Sequence, residues 1–211
     1  MTAIYKDLYQ FSSYIPPIDL SFHQYLLLGD EPILVHTGSI QMAEVLVPEL
    51  KAVLGERNLK YIFVSHFESD ECGGLSQVLK HFPEAITICS GETAGQLRGF
   101  GIINNAVVKK PGEKLICGDS EFEFINYPSE VHLWGGLLLI ENKRGIFFSS
   151  DLVFQFGKAQ GTVIEGNWQK EIEGIAPHQV PDLEGRAQLQ QGLLKLKPKF
   201  VAAGHGPCLK V

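Results

Sequence analysis

Seven histidines lie along the chain, at His23, His36, His66, His81, His132, His178 and His205. Three of them stand where an apolar run has just ended. His66 follows the run 61–65 and opens the segment His66-Phe67-Glu68-Ser69-Asp70-Glu71-Cys72-Gly73-Gly74. His132 comes shortly after the run 121–127, and His205 stands in Gly204-His205-Gly206 just past the run 200–203. Asp151 has the same setting at the end of Phe148-Ser149-Ser150-Asp151. Side chains held just beyond strand ends are held rigidly, and imidazole with carboxylate is a donor set for zinc, iron or manganese. His66, Glu68 and Asp70 alternate, so an extended loop points them the same way. One imidazole and three carboxylates in six residues carry too much negative charge to bury without cations. Alone, this segment also reads as a solvated acidic turn at a helix N-terminus, where carboxylates are favourable. The matching settings of His132, Asp151 and His205 favour the metal reading.

Positioning such groups requires strands that end together. The runs 24–28 and 33–35 flank Gly29-Asp30-Glu31-Pro32 and read as two strands about a tight turn. Met42, Val45, Leu46, Leu50, Val53 and Leu54 fall at helical spacing, and Gly55 supplies the stop. Tyr61 to Val64 is a continuous apolar strand of the fully buried kind. Beyond Gly73-Gly74, a pair expected to let the chain turn tightly, come a helix over 75–81, a strand over 86–89 and a short helix over 92–98. Strands are expected at 106–108, 121–127, 136–141 and 145–148, then an irregular loop over 157–181, a helix over 183–196 and a strand over 200–203. Strand–helix alternation on either side of an antiparallel block predicts an α/β fold of two packed sheets with helices outside. No repeat or linker-like stretch divides the chain, so one domain over residues 1–211 is expected.

The composition excludes several classes. With 211 residues, 45% hydrophobic and 20% charged, the chain is of ordinary globular type. A net charge of −6 argues against a nucleic-acid partner. No apolar run approaches the roughly 20 residues of a membrane span. Residues 1–10 lack the basic start and apolar stretch of a signal peptide, so a cytoplasmic location is expected. The 4 cysteines form no Cys-x-x-Cys pair; Cys89 and Cys117 read as buried thiols and Cys72 as a packed small residue.

Taken together, these motifs resemble the metallo-β-lactamase fold, and within it the diiron branch found in flavodiiron proteins. Zinc hydrolases of that superfamily carry His-x-His-x-Asp-His, whereas the diiron branch carries His-x-Glu-x-Asp-His, and Glu68 matches the latter. The similarity runs from 59–64 through Gly73-Gly74-Leu75, His132-Leu133-Trp134 and 148–151 to Gly204-His205-Gly206. The resemblance implies an αββα sandwich of two mixed sheets with helices on the outer faces. It also implies two iron ions, zinc or manganese being the alternative. One would take His66, Glu68 and His132; the other would take Asp70 and His205, with Asp151 bridging. Two positions depart from the family. Glu71 replaces the last motif histidine and either ligates the second metal or points away. His36 replaces a supporting aspartate and is either a hydrogen-bonding support or a polar strand-end residue.

With Glu68, Asp70, Glu71 and Asp151 ionised, four negative charges would balance two divalent cations. Such balance blunts the acidification of bound water that zinc hydrolysis needs, and favours oxygen chemistry at iron. Phe67, Trp134, Phe147, Phe148, Phe154 and Phe156 cluster near the ligand positions and suggest a small apolar pocket for a diatomic ligand. Flavodiiron proteins reduce dioxygen or nitric oxide with electrons from an FMN domain. No flavin-binding loop is found here, so the chain itself is expected to bind no flavin. The reading is a diiron protein that binds or activates dioxygen, as a sensor or as a reductase fed by a separate electron-transfer or signalling partner, sensing being preferred. The resemblance also brings homodimer formation into view. The alternative is a metal-dependent hydrolase acting on an ester, thioester or phosphodiester; a metal-poor interaction module follows if Glu71 disables the second site.

Overall fold

The computed structural model describes residues 1–103, 106–128 and 135–211. His132 and Trp134 therefore lie outside the described residues. Two seven-stranded mixed sheets pack face to face. The first runs β1 (Thr2–Tyr5), β2 (Leu8–Ile15), β3 (Leu20–Leu27), β4 (Ile33–Val35), β5 (Tyr61–Phe63), β6 (Ile86–Cys89) and β7 (Val107–Val108), in sequence order. The second has the order β12 (Val163–Glu165), β14 (Cys208–Lys210), β13 (Phe200–His205), β11 (Ile146–Phe154), β10 (Gly136–Glu141), β9 (Ser120–Tyr127) and β8 (Lys114–Cys117).

The continuous apolar runs are explained by burial on both faces. Tyr25, Leu27, Ile33, Val35 and Phe63 meet Phe122, Phe124, Leu137, Leu139 and Phe148 between the sheets. Their neighbours Leu26, Leu34, Ile62 and Val64 face the other way, packing with Ala43, Leu46 and Leu50 of helix α1 (Ile40–Leu54) and with Leu75 and Val78 of α3 (Leu75–His81). On the second sheet Leu138, Ile140, Phe147 and Val201 pack with Ile172 of α5 (Trp168–Glu173) and with Leu189 and Leu193 of α6 (Leu183–Leu193). Three apolar layers thus alternate with two sheets, as the αββα expectation requires. Among the described residues, no helix is long and apolar enough to cross a membrane.

Several expectations are corrected. The segment 157–181 is not irregular, because it holds β12 and α5. All three residues of β12 are exposed and α5 buries only Ile172, so neither leaves a periodic signal. The N-terminal residues form β1 and β2, and β8 and β14 were also unforeseen. The strand leading to Asp151 does not stop at Phe148; β11 runs on to Phe154, with a register break against β13 between Phe148 and Ser150. The helix predicted to end at 196 ends at Leu193.

One edge of the sandwich is closed by charge. Arg144, ahead of β11, donates from Nε and Nη2 to both oxygens of Asp7 at 2.8 and 2.7 Å, and pairs with Asp119 as well. Asp7 sits in the β1–β2 turn and Asp119 between β8 and β9, so the guanidinium joins the two sheets. Burial would raise the Asp7 carboxyl, but Arg144 overcomes this and holds it below its ordinary value. Asp119 is held down first by the Asp30 amide and then, against burial, by Arg144. With both folded-state values depressed, the stabilisation is full above the ordinary value of 3.8 and fades as pH falls through the folded values. Arg144→Met is expected to lower the unfolding free energy at pH 7 by about 1.5–3 kcal/mol. Urea unfolding from pH 7 down to pH 3 should show the gap between variant and wild type narrowing with acid.

Candidate metal centre

The strands place the sequence-predicted groups beside one another. His66 follows β5, and the chain then enters the short helix α2 (Ser69–Cys72), which carries Asp70 and Glu71. The segment after β4 braces this loop: the Thr37 amide donates to the Glu71 carbonyl at 2.8 Å and the Gly74 amide to that of Gly38 at 2.7 Å. Gly74 adopts an ordinary right-handed backbone, with φ of −85°, so the glycine pair is not needed for an unusual turn. A β-carbon at Gly74 would instead lie 2.8 Å from the Thr37 carbonyl oxygen. Asp151 lies inside β11 and His205 ends β13.

Six of the seven proposed ligands are described, and all six converge. His66 Nε2 lies 3.1 Å from Glu68 Oε2, 3.3 Å from Asp151 Oδ2 and 3.9 Å from Glu71 Oε2. His205 Nε2 lies 3.1 Å from Asp151 Oδ1 and 3.4 Å from Asp70 Oδ2. Asp151 therefore spans the two imidazoles. Donor atoms of His66, Glu71 and Asp151 lie within 4.8 Å of one another, as do those of Asp70, Glu71 and His205. Glu71 belongs to both groups, its carboxylate directed at the same donor atoms. Glu68 stands at the rim, its side chain 37% exposed.

Charge governs this site. Burial alone would lower His66, but Asp151 and Glu68 overcome it and push it up to about 9. His205 is likewise pushed up to about 10 against burial, by Asp151 and Asp70. Burial and then the charges of Asp151, Asp70 and Glu68 drive Glu71 well above the usual carboxylate range. For Asp151 burial opposes ionisation, yet the two histidines hold its carboxyl far below the ordinary value. Glu71 is buried, and among the described residues its Oε2 has no hydrogen-bond donor. An inward acceptor without a donor, among acids that demand positive charge, fits a bound cation.

Outer contacts fix the rings. His205 Nδ1 donates to the Ser21 carbonyl at 3.0 Å, which leaves Nε2 directed at the carboxylates. His23 is buried, held by Ser12 Oγ and the Gly206 carbonyl, and burial lowers it to about 4. His36 stands just past the end of β4 and is buried; its Nε2 lies 2.9 Å from Ser65 Oγ, and burial lowers it to about 4. Ser12, Ser65 and Ser150 through their hydroxyls and Ser21 through its carbonyl hold these rings, contacts that single serines in a sequence do not announce. Cys72 is buried, its thiol pushed up to about 12 by burial, as a packing residue should be.

A cavity of about 450 Å³ opens over Glu68, Asp70, Asp151 and His205. Leu20, Phe22, Tyr127, Phe154 and Phe156 form its apolar wall, with His178 and Gln179 at one side. Of the aromatic residues expected there, Phe147 and Phe148 are core instead, and Phe67 stacks on Phe100 at 5.1 Å. The cavity is also far larger than a diatomic ligand requires.

A model of the ODP family beta lactamase matches residues 20–206. The chain belongs to the ODP family of beta lactamases. This ODP-family chain is 24% identical over 199 residues to a Nostoc sp. protein named diflavin flavoprotein A 2, covering 90% of the chain and 34% of that protein. It is 27% identical over 110 residues to a nitric oxide reductase of Moorella thermoacetica, covering 51% of the chain and 28% of that protein. The Flv1 flavodiiron core from Synechocystis sp. PCC6803, solved after metal soaking, superposes with a TM-score of 0.78 at 19% identity, covering 96% of the chain and 54% of that structure. The chain spans about a third of the length of the curated relatives it matches.

The two sheets meet closely beneath this centre. The Leu137 amide of β10 donates to the Ser65 carbonyl at 2.8 Å, and a β-carbon on Gly136 would collide with that carbonyl and lie 2.8 Å from His66 Cβ. Gly136→Ala is expected to cost roughly 1–3 kcal/mol by overpacking and to shift the His66 ring resonances. Thermal unfolding and NMR of the variant check both effects.

Proposed function

We propose that residues 1–211 act as one unit that holds two iron ions and handles dioxygen or nitric oxide, with electrons from a separate donor. The observation that carries this reading is Glu71: one buried carboxylate, short of a donor, shared by two groups of possible ligands. His66, Glu68, Asp151 and His132 would hold one ion, and Asp70, His205, Glu71 and Asp151 the other. When bound, an iron pair supplies redox electrons and open coordination positions to a small oxidising ligand. The chain's own residues orient and shield. The Ser21 carbonyl fixes the His205 ring, Asp151 spans both imidazoles, and Phe22, Phe154 and Phe156 give one wall of the cavity an apolar face. The named activity of the Moorella relative supports nitric oxide as a ligand class. Four free, buried cysteines suit the cytoplasm, where we place the protein.

The cavity volume favours a second reading, hydrolysis of an organic ester, thioester or phosphodiester at zinc or manganese. Metal analysis separates the two. Protein purified aerobically without added metal is expected to carry about two irons per chain and an oxygen-dependent visible absorption band. Stoichiometric zinc without iron, together with turnover of generic esters, would overturn the diiron reading. Glu71→Gln keeps the shape and removes the charge, and should reduce the iron to about one per chain or fewer.

A further inference from the structure

Beneath His66 lies a group of buried polar atoms that the ligand set does not use. Ser65 Oγ is 2.9 Å from His66 Nδ1, 2.9 Å from Ser150 Oγ and 2.9 Å from His36 Nε2. His36, Ser65, His66 and Ser150 are all buried. Ser65 and Ser150 immediately precede His66 and Asp151, so the hydroxyls cross from one sheet to the other directly under the two groups. Among the described residues four non-glycine residues have left-handed backbone, and two of them belong here: His36 with φ of 64° and Ser150 with φ of 48°. The other two are Lys6 and Asp19. A left-handed backbone is unfavourable for a non-glycine residue, and it persists where its surroundings impose it.

The two described imidazoles of the centre are held differently. His205 Nδ1 meets a carbonyl, which can only accept, so its orientation needs no further help. His66 Nδ1 meets the Ser65 hydroxyl at 2.9 Å, with that of Ser150 farther off at 3.5 Å, and a hydroxyl can donate or accept. If Ser65 gives its proton to Nδ1, the proton of a neutral His66 must sit on Nε2, and that atom cannot bind a cation. If the Ser65 proton goes elsewhere, Nδ1–H donates to Ser65 and the Nε2 lone pair is free. Its partners decide which.

We propose that His36 is a positioning residue that accepts the Ser65 proton at Nε2, while Ser150 donates to Ser65, so that Ser65 can only accept from His66 Nδ1. Ser65 is then saturated, with two bonds accepted and one donated. The relay keeps Nε2 of His66 as the metal-facing atom, and in this respect it rests on the metal reading above.

The test uses the full chain with zinc as a diamagnetic probe. In ring-nitrogen NMR of the wild type, His66 Nδ1 should carry a slowly exchanging proton and His36 Nε2 none. Ser65→Ala should lose the slow Nδ1 proton and bind zinc 10–100-fold more weakly, with a cooperative thermal transition kept. A second pair of variants separates the relay from backbone strain. Asn tolerates a left-handed backbone better than Gln, but its amide is too short to stand where Nε2 stands, whereas that of Gln reaches. The relay therefore requires His36→Gln to bind zinc more tightly than His36→Asn, and backbone strain alone requires the reverse order. A proton on His36 Nε2, or Ser65→Ala matching the wild type in zinc affinity, would overturn the relay. A wild type that binds no metal would overturn the diiron reading, and a proton on His36 Nε2 would still overturn the relay.

Discussion

Four carboxylates and two imidazoles share one end of the sandwich, and their mutual electrostatics constrain everything around them. Glu68, Asp70, Glu71 and Asp151 repel one another at separations of a few ångströms, in surroundings where water screens little. Asp151 stays ionised because His66 and His205 flank it. Glu71, more deeply placed, is pushed toward its neutral form. Either protons or cations must supply the missing positive charge. The local architecture serves this demand through a braced acidic loop after β5, a strand β11 that runs through Asp151, and a β13 that ends on His205.

Membership of the ODP family accounts for the scaffold, and Glu71 and His36 account for details of the centre. Glu71 makes the centre richer in carboxylate than the histidine-bearing pattern it departs from. His36 brings a neutral imidazole, lowered by burial to about 4, to a place where an aspartate would add yet another negative charge. The two departures act together: one adds an acid facing the centre, and the other keeps an acid from lying beneath it.

The buried strands and the ligand cluster were legible in the sequence because both leave dense local patterns. Strand β5 and its neighbours read as continuous apolar runs, since each of their faces meets a core. The alternation of His66, Glu68 and Asp70 announced a shared direction. Elements without such a pattern were opaque, notably the fully exposed β12 and the single-residue anchor of α5. Glycine was legible as a type but not in its reason: Gly74 is required by the nearness of the Thr37 carbonyl rather than by its torsion angles. Phe147 and Phe148 show the same limit, because adjacent strand residues point to opposite cores and neither faces the cavity. The direction of Glu71 and the partners of His36 depend on contacts between distant segments, and no spacing rule reports those.

The polar ties between the sheets near the centre are made by residues that belong to it or adjoin it. Ser65 meets Ser150 and receives the Leu137 amide, the Ser21 carbonyl holds His205, and His23 holds the Gly206 carbonyl. The donor set and the seam of the sandwich are therefore one construction. Grafting this centre onto another scaffold would mean carrying over both sheets at their native separation, and neither sheet alone would hold a usable half of it.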